Sequence, residues 1–182
     1  LVSNMLSRDY NFKGKHANIV TNLTTELDGN TKFKFFERNI DVLILAPLVG
    51  FLYGHTAERD DSGTTDNIKK INFDQMNREA ITLNFNYELI MILNEKEKIP
   101  IEERLNLAFR NYKNPEEKAK ADKLFESFLL GGIEILEEKL LSDANSVDDY
   151  IVNIYNIITD YNDRYSKTIS ENDLLDLCIN NN

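Results

Sequence analysis

The side chains that most often carry out chemistry are sparse in this chain of 182 residues, which contains two histidines and one cysteine. His16 and His55 are far apart in the sequence, and their spacing matches no metal-binding or acid–base motif. His55 follows Gly54 at a predicted helix end, where an imidazolium ring would meet the negative end of the helix dipole. We therefore expect each histidine to have a structural or solvent-facing role.

The remaining candidates for a reactive or ligand-binding site are equally weak. Cys178 shares an apolar face with Leu174 and Leu175, which indicates a small hydrophobic side chain rather than a nucleophile. The segment DDSGTTD, Asp60–Asp66, lacks the ligand spacing of an EF-hand loop and is interpreted as a solvated turn. No phosphate-binding Gly-rich loop, CxxC pair, HExxH or Gly-x-Ser-x-Gly motif occurs. The sequence thus predicts no catalytic residue, metal ligand or cofactor, and it favours a non-enzymatic protein.

Charge bears on the class of partner. The net charge is −10, most of it contributed by residues 115–182, and an acidic protein repels nucleic acid except where cations cluster. One basic cluster alternates with phenylalanines in the N-terminal part, a combination that grips phosphates and stacks bases. Its candidate nucleic-acid contacts are Lys13, Lys15, Lys32, Lys34 and Arg38. The preferred alternative is that these lysines flank a buried helix and the phenylalanines belong to the core.

A candidate protein interface lies in the segment Ser146–Tyr165. At 100° per residue its apolar side chains form one stripe, from which Tyr155 and Ile157 partly deviate. Tyrosine outside a core stripe is a common interface residue because it combines a large area with a polar tip. We therefore expect Tyr155 and Ile157 to contact a partner chain or a second copy. A wider buried stripe within a monomer is the alternative. The acidic C-terminal half favours a basic partner surface.

The elements that position these residues are predicted to be helices. The most apolar segment, Asn39–His55, is too short to span a bilayer, so it is interpreted as a buried helix that Pro47 kinks or splits. A buried strand is the rival interpretation. Gly50 and Gly54 share a face that lets a neighbouring helix approach, and Gly54 suits the helix end. The side chains expected to be buried are Ile44, Leu45, Leu48, Phe51 and Leu52.

Helical periodicity continues through most of the chain, with Asp74 and Asn114 as expected caps. Gly131-Gly132 lies inside a strong helical pattern, which indicates close packing against another helix. The predicted helical segments are 15–27, 39–55, 73–96, 99–113, 114–141 and 146–165, with a short one at 173–179. The sequence therefore predicts one all-α domain, residues 1–182, built as a bundle of five to six helices.

Within that domain, residues 1–11 are expected to be flexible, 56–72 to form a long surface loop and 180–182 to fray. A division near residue 114 is the alternative to a single domain. No secretory signal is apparent, and one cysteine suits a reducing compartment, so the expected location is cytoplasmic without a membrane span.

The segment FFERNIDVLILAPLVGFLYGHTAERD resembles a region of small helical bacterial proteins encoded beside DNA phosphorothioation and related phage-defence genes. In those proteins an aromatic lead-in precedes an apolar A-x-x-x-GF-x-x-G helix and a polar turn. FLLGGIEILEEKL also resembles their second half. The matching residues are Phe35, Phe36, Asp41, Ala46, Gly50, Phe51, Gly54 and Arg59. The resemblance implies an accessory role in a bacterial defence system and supplies no catalytic residues.

Overall fold

The computed structural model describes residues 5–61, 68–95, 98–110 and 114–165. Within these ranges the chain forms seven α-helices and one small two-stranded sheet, so the prediction of an all-α fold is confirmed. The chain divides into two compact units, Leu1–Glu138 and Lys139–Asn182. The predictions for Cys178, for the helix at 173–179 and for the terminal residues lie outside the described ranges.

The first unit contains the elements from the N-terminal turn to the long helix that ends at Leu136, and the π-helical turn after that helix crosses the boundary between the two units. A 3-10 turn, Met5–Ser7, precedes β1, Tyr10–Lys13, and the helices α1, Gly14–Thr24, and α2, Asn39–Tyr53. Strand β2, Ile68–Ile71, is followed by α3, Phe73–Arg78, and α4, Ala80–Leu93. Helix α5, Ile101–Leu105, continues as a π-helical turn, Asn106–Arg110. Helix α6, Pro115–Leu136, is also followed by a π-helical turn, Glu137–Leu141.

The sheet is a feature that the sequence did not predict. Strands β1 and β2 are antiparallel, with Tyr10 opposite Ile71 and Phe12 opposite Lys69. Tyr10, Phe12 and Ile71 are buried. Each strand has four residues, too few for alternation to stand out from a helical pattern. As a result β2 lies inside the segment expected to be one long loop, and Met5 is buried in the segment expected to be flexible.

Helix α2 runs through Pro47 without being split, and it ends at Gly54 in the left-handed conformation. Its apolar face was assigned incorrectly, because Leu45 is 40% exposed while Val42, Leu43 and Ala46 are buried. Ile44, Leu48, Phe51 and Leu52 are half-buried. The reason is that α2 is apolar on nearly every side, so periodicity does not indicate which side faces its neighbours α6 and α4.

The crossing of α2 and α6 depends on glycine. A Cβ atom at Gly50 would lie 2.9 Å from the Gly132 nitrogen, and one at Gly132 would lie 2.6 Å from the Ala46 carbonyl carbon. Heavy atoms in ordinary contact are about 3.5–4.0 Å apart, so the two backbones touch where no side chain fits. The close packing predicted for Gly131-Gly132 and Gly50 is confirmed, whereas a Cβ at Gly54 would meet nothing within 4 Å.

Helix termini follow local chemistry. Asn114 caps α6 by accepting hydrogen bonds from the backbone of Glu116 and Glu117, as predicted. Asp74 is not a cap but the second residue of α3. The cap is Asn72, whose side chain forms a capping box with Gln75. The segment predicted as one helix over residues 73–96 is two helices, separated at Glu79.

The second unit is described from Lys139 to residue 165 and is built around α7, Val147–Tyr165. Ser146 and Asp149 form a reciprocal capping box: the Asp149 carboxylate accepts from the Ser146 backbone at 2.9 Å, and the Ser146 hydroxyl accepts from the Asp149 backbone at 3.2 Å. The Asn153 amide donates to the Leu140 and Ser142 carbonyls. These bonds fix the start of the helix against the turn that precedes it.

Candidate functional site

The two histidines, which are far apart in the sequence, meet at a single carboxylate. His16 Nε2 lies 3.1 Å from Glu134 Oε1, and His55 Nε2 lies 3.0 Å from Glu134 Oε2. Lys15 Nζ lies 2.6 Å from Oε1 of the same side chain. Because a carboxylate accepts hydrogen bonds, each Nε2 carries a hydrogen and donates. The spacing of the two histidines in the sequence did not indicate that they meet.

Three elements carry this cluster. His16 is in the first turn of α1, whose N-terminus is fixed by a hydrogen bond from the Lys15 backbone to Asp60 Oδ2 at 2.8 Å. His55 directly follows Gly54, and its backbone donates to the Gly50 carbonyl. Glu134 lies on α6, two residues after the glycine pair. The sequence signal that was missed is the combination of glycines, which brings the end of α2 against α6 near Glu134.

Gly131 makes the approach to His55 close. A Cβ atom there would lie 2.7 Å from the His55 carbonyl carbon and 2.8 Å from the Thr56 Cα. The His55 backbone therefore passes directly over α6, about one helical turn from Glu134. This packing explains why the Glu134 carboxylate is within reach of a histidine that follows a different helix.

The cluster favours an ionised glutamate and a neutral buried histidine. Burial by itself would raise the pKa of Glu134, but hydrogen bonds from Lys15, His55 and His16 outweigh it and hold the pKa below its usual value. Burial lowers the pKa of His16, and the hydrogen bond to Glu134 opposes that shift only in part. The hydrogen bond to Glu134 raises the pKa of Lys15.

His16 is 1% exposed, and its Nδ1 atom has no hydrogen-bond partner among the described residues. A proton at that atom would be a buried donor without an acceptor, which is costly. A neutral ring with its hydrogen on Nε2 donates to Glu134 and leaves only the acceptor Nδ1 unpaired. This arrangement holds α1, the end of α2 and α6 together.

The chemistry open to the cluster is limited by its internal pairing. The Glu134 oxygens already accept from two imidazoles and one ammonium group. In the described part of the chain, no three His, Cys, Asp or Glu side chains are arranged to hold a metal ion. The cluster therefore joins α1, α6 and the segment after α2 through one carboxylate.

The basic segment proposed for nucleic acid carries cations that are largely paired. Lys13 contacts Asp61 at 3.2 Å, Lys34 contacts Glu37 at 2.5 Å, and Lys15 contacts Glu134. Arg38 contacts both Asp41, at 2.6 Å, and Glu79, at 3.1 Å. Phe12, one of the interleaved aromatics, is fully buried. These pairs reduce the positive charge available to phosphates, and they leave Lys32 with its side chain exposed.

The interface candidates lie on α7, where no described side chain is buried. Tyr155 is 68% exposed, and Ile157 is half-buried. Exposure extends to three further apolar residues, Ile151, Val152 and Ile158, each 52–54% exposed. Ile151 and Ile158 lie on the apolar stripe that the periodicity indicates, yet they are more exposed than Ile157, which partly deviates from it. Periodicity defines a stripe without showing how far it is buried.

Comparisons with protein-family models, curated proteins and solved structures give no match. Among the described helices, none has both the length and the apolar composition needed to cross a bilayer.

Proposed function

We propose that the chain is a non-enzymatic cytosolic protein that binds another protein through α7. The partner element would be a basic amphipathic helix. The observation that carries this proposal is the apolar face formed by Ile151, Val152, Tyr155 and Ile158. These residues follow the spacing of a helix that packs against another helix, yet each is more than half exposed.

Charge supports a basic partner. Asp148 lies at the N-terminal end of the exposed face and Asp163 lies near its C-terminal end, and neither forms an ion pair with a described residue. Asp160 is paired with Arg164 at 2.8 Å. A helix that presents leucines flanked by lysines would bury the apolar face and place cations near Asp148 and Asp163. Such complementarity sets orientation and association rate more than affinity.

The expected affinity is modest. Burying the exposed half of an isoleucine or tyrosine side chain contributes on the order of 1 kcal/mol, and three or four such residues must offset the entropy lost on association. The complex is therefore expected to be micromolar rather than nanomolar. The segment 35–59 resembles small helical bacterial proteins encoded beside phage-defence genes. On that basis, we propose that the partner is a component of a bacterial phage-defence system.

A fluorescently labelled model peptide tests the binding mode. The peptide is an amphipathic helix of leucine and lysine, and a leucine–glutamate peptide of equal length is the charge control. The full chain should raise the anisotropy of the basic peptide alone. Tyr155→Asn, which leaves the net charge unchanged, should weaken binding about tenfold, and Asp163→Asn should weaken it less. Asn22→Ala, at an exposed polar residue of α1, is the matched control and should bind like the wild type.

Equal binding of the basic peptide by wild type and Tyr155→Asn, or no binding by either, would overturn the proposal. A DNA duplex is included as a further probe. If DNA binds at physiological salt, survives Tyr155→Asn and is lost when Lys13 and Lys32 are replaced by Glu, the basic segment is the functional surface instead.

A further inference from the structure

Helix α4 is apolar on two opposite sides. Its inner side is buried through Leu83, Tyr87, Ile90 and Met91. Its outer side carries Ile81, which is 88% exposed, and Phe85, one turn later, which is 60% exposed. Most large exposed apolar side chains on a monomer lie singly, whereas these two are neighbours on one helical face. The outer side of α4 is therefore a surface that a partner would cover.

The charges at the two ends of this surface have opposite signs. Glu88 lies on the same face as Ile81, two turns further along α4, and it is half-buried. Arg78, the last residue of α3, is exposed. Neither side chain forms an ion pair with a described residue, whereas Glu79, which lies between α3 and α4, is already paired with Arg38. Burial raises the pKa of Glu88, because its carboxylate loses hydration and gains no cation from the described residues.

The sequence positions of these residues are symmetric. Ile81 and Phe85 are equally distant from Leu83, and so are Arg78 and Glu88. Two antiparallel helices that cross at the level of Leu83 would bring Ile81 against Phe85 of a second copy. The same crossing would bring Arg78 near Glu88 of that copy. A twofold axis requires this kind of self-complementary surface. Antiparallel packing also sets the two helix dipoles in opposite directions.

We infer that two copies of the chain associate through the outer face of α4, with Ile81 and Phe85 at the centre and Arg78–Glu88 pairs at both ends. The occupant is a second copy rather than a different protein because the surface carries one cation and one anion at opposite ends. The α7 face differs, since it carries aspartates at both ends. This association is independent of the proposed function of α7.

Sedimentation equilibrium over a range of chain concentrations tests the inference. The wild type should be a dimer that dissociates in the micromolar range. Ile81→Asn should raise the dissociation constant at least tenfold with unchanged helix content, because Ile81 contributes almost nothing to the monomer core. Asn77→Ala, which alters an exposed polar residue on α3, is the control and should leave the dimer intact. Tyr155→Asn should also leave the dimer intact. Failure of the proposed α7 interaction can therefore be distinguished from failure of the α4 dimer.

Charge reversal tests the antiparallel pairing itself. Arg78→Glu and Glu88→Arg should each weaken the dimer, and the double variant should recover at least half of the lost association because both pairs are restored in swapped form. Circular dichroism identifies any charge-reversal variant that fails to fold. In that case, the dissociation constant of Ile81→Asn decides the inference. A wild-type chain that is monomeric at millimolar concentration would overturn the inference. So would a dimer unaffected by Ile81→Asn, or a double variant as weak as the single ones.

Discussion

Replacing Gly132 by alanine is expected to destabilise the first unit severely, although alanine is the better helix former. At an exposed helical site this change is favourable by about 1 kcal/mol. At Gly132 the new methyl carbon would lie 2.6 Å from the Ala46 carbonyl carbon and 2.8 Å from the Gly50 nitrogen, and closer still to the Ala46 oxygen. All of these are backbone atoms of α2, so no side chain can rotate away to make room.

The magnitude follows from how far the helices must separate. Ordinary contact is about 3.5 Å, and the Ala46 oxygen lies nearer than the carbon, so α2 and α6 must move apart by more than about 1 Å. A gap of about 1 Å already forfeits up to half of the dispersion attraction between facing atoms. Overpacking typically costs about 1–3 kcal/mol, and the rigid neighbours here place this site at the upper end. A net loss of about 3 kcal/mol would lower the melting temperature by roughly 10 °C.

Urea unfolding followed by far-UV circular dichroism measures this loss, since the chain has no tryptophan for fluorescence. Gly29→Ala is the matched control, because a Cβ atom there meets nothing within 4 Å, and its stability should stay within about 0.5 kcal/mol of the wild type. If Gly132→Ala is as stable as the wild type or more stable, helix propensity dominates. The close backbone crossing of α2 and α6 would then be refuted.

Two further predictions concern pH and the face of α2. Burial lowers the pKa of His16 in the folded chain below its usual value of about 6.5, so the unfolded chain binds the proton more readily. The free energy of unfolding should therefore fall as the pH drops below about 6.5, until the folded chain is protonated as well. The lowered pKa of Glu134 adds a second loss below about 4.5. Urea unfolding measured at a series of pH values should show that the free energy of unfolding of His16→Gln depends less on pH than that of the wild type between about pH 7 and 5. An equal pH dependence in the two proteins would contradict the assignment of a neutral His16 ring. Leu43→Ala should cost about 2–5 kcal/mol, whereas Leu45→Ala should cost less than about 1 kcal/mol, and equal losses would mean that α2 is rotated.

Much of the secondary structure could be predicted from the sequence because helix ends depend on neighbouring residues. Asn114 before Pro115 and Gly54 after the apolar run both act at the predicted positions. Each of these interactions spans only a few residues, so the chemistry is complete within the local sequence. The glycine pair in α6 also indicated a close helix contact, because nothing else accounts for two glycines in a strong helix.

The candidate sites were harder to predict because they depend on which elements meet. Nothing near His16 or His55 in the sequence identifies Glu134 as their common partner, since the three residues lie on separate elements. The cations of the basic segment seemed available because their carboxylate partners, such as Asp61 and Glu79, come from other parts of the chain. The strand pair β1–β2 was missed for the same reason, as neither strand is stable without the other.

The sequence by itself determined the helical class, the cap at Asn114, the helix end at Gly54 and the angle of each side chain around its own helix axis. Only the tertiary structure decided which of these angles face a neighbour. Leu45 and Ile81 have the same hydrophobicity as buried residues beside them, yet they are exposed, because periodicity defines a face without defining what packs on it. The exposed faces of α4 and α7, on which both proposals rest, are therefore properties of the folded chain.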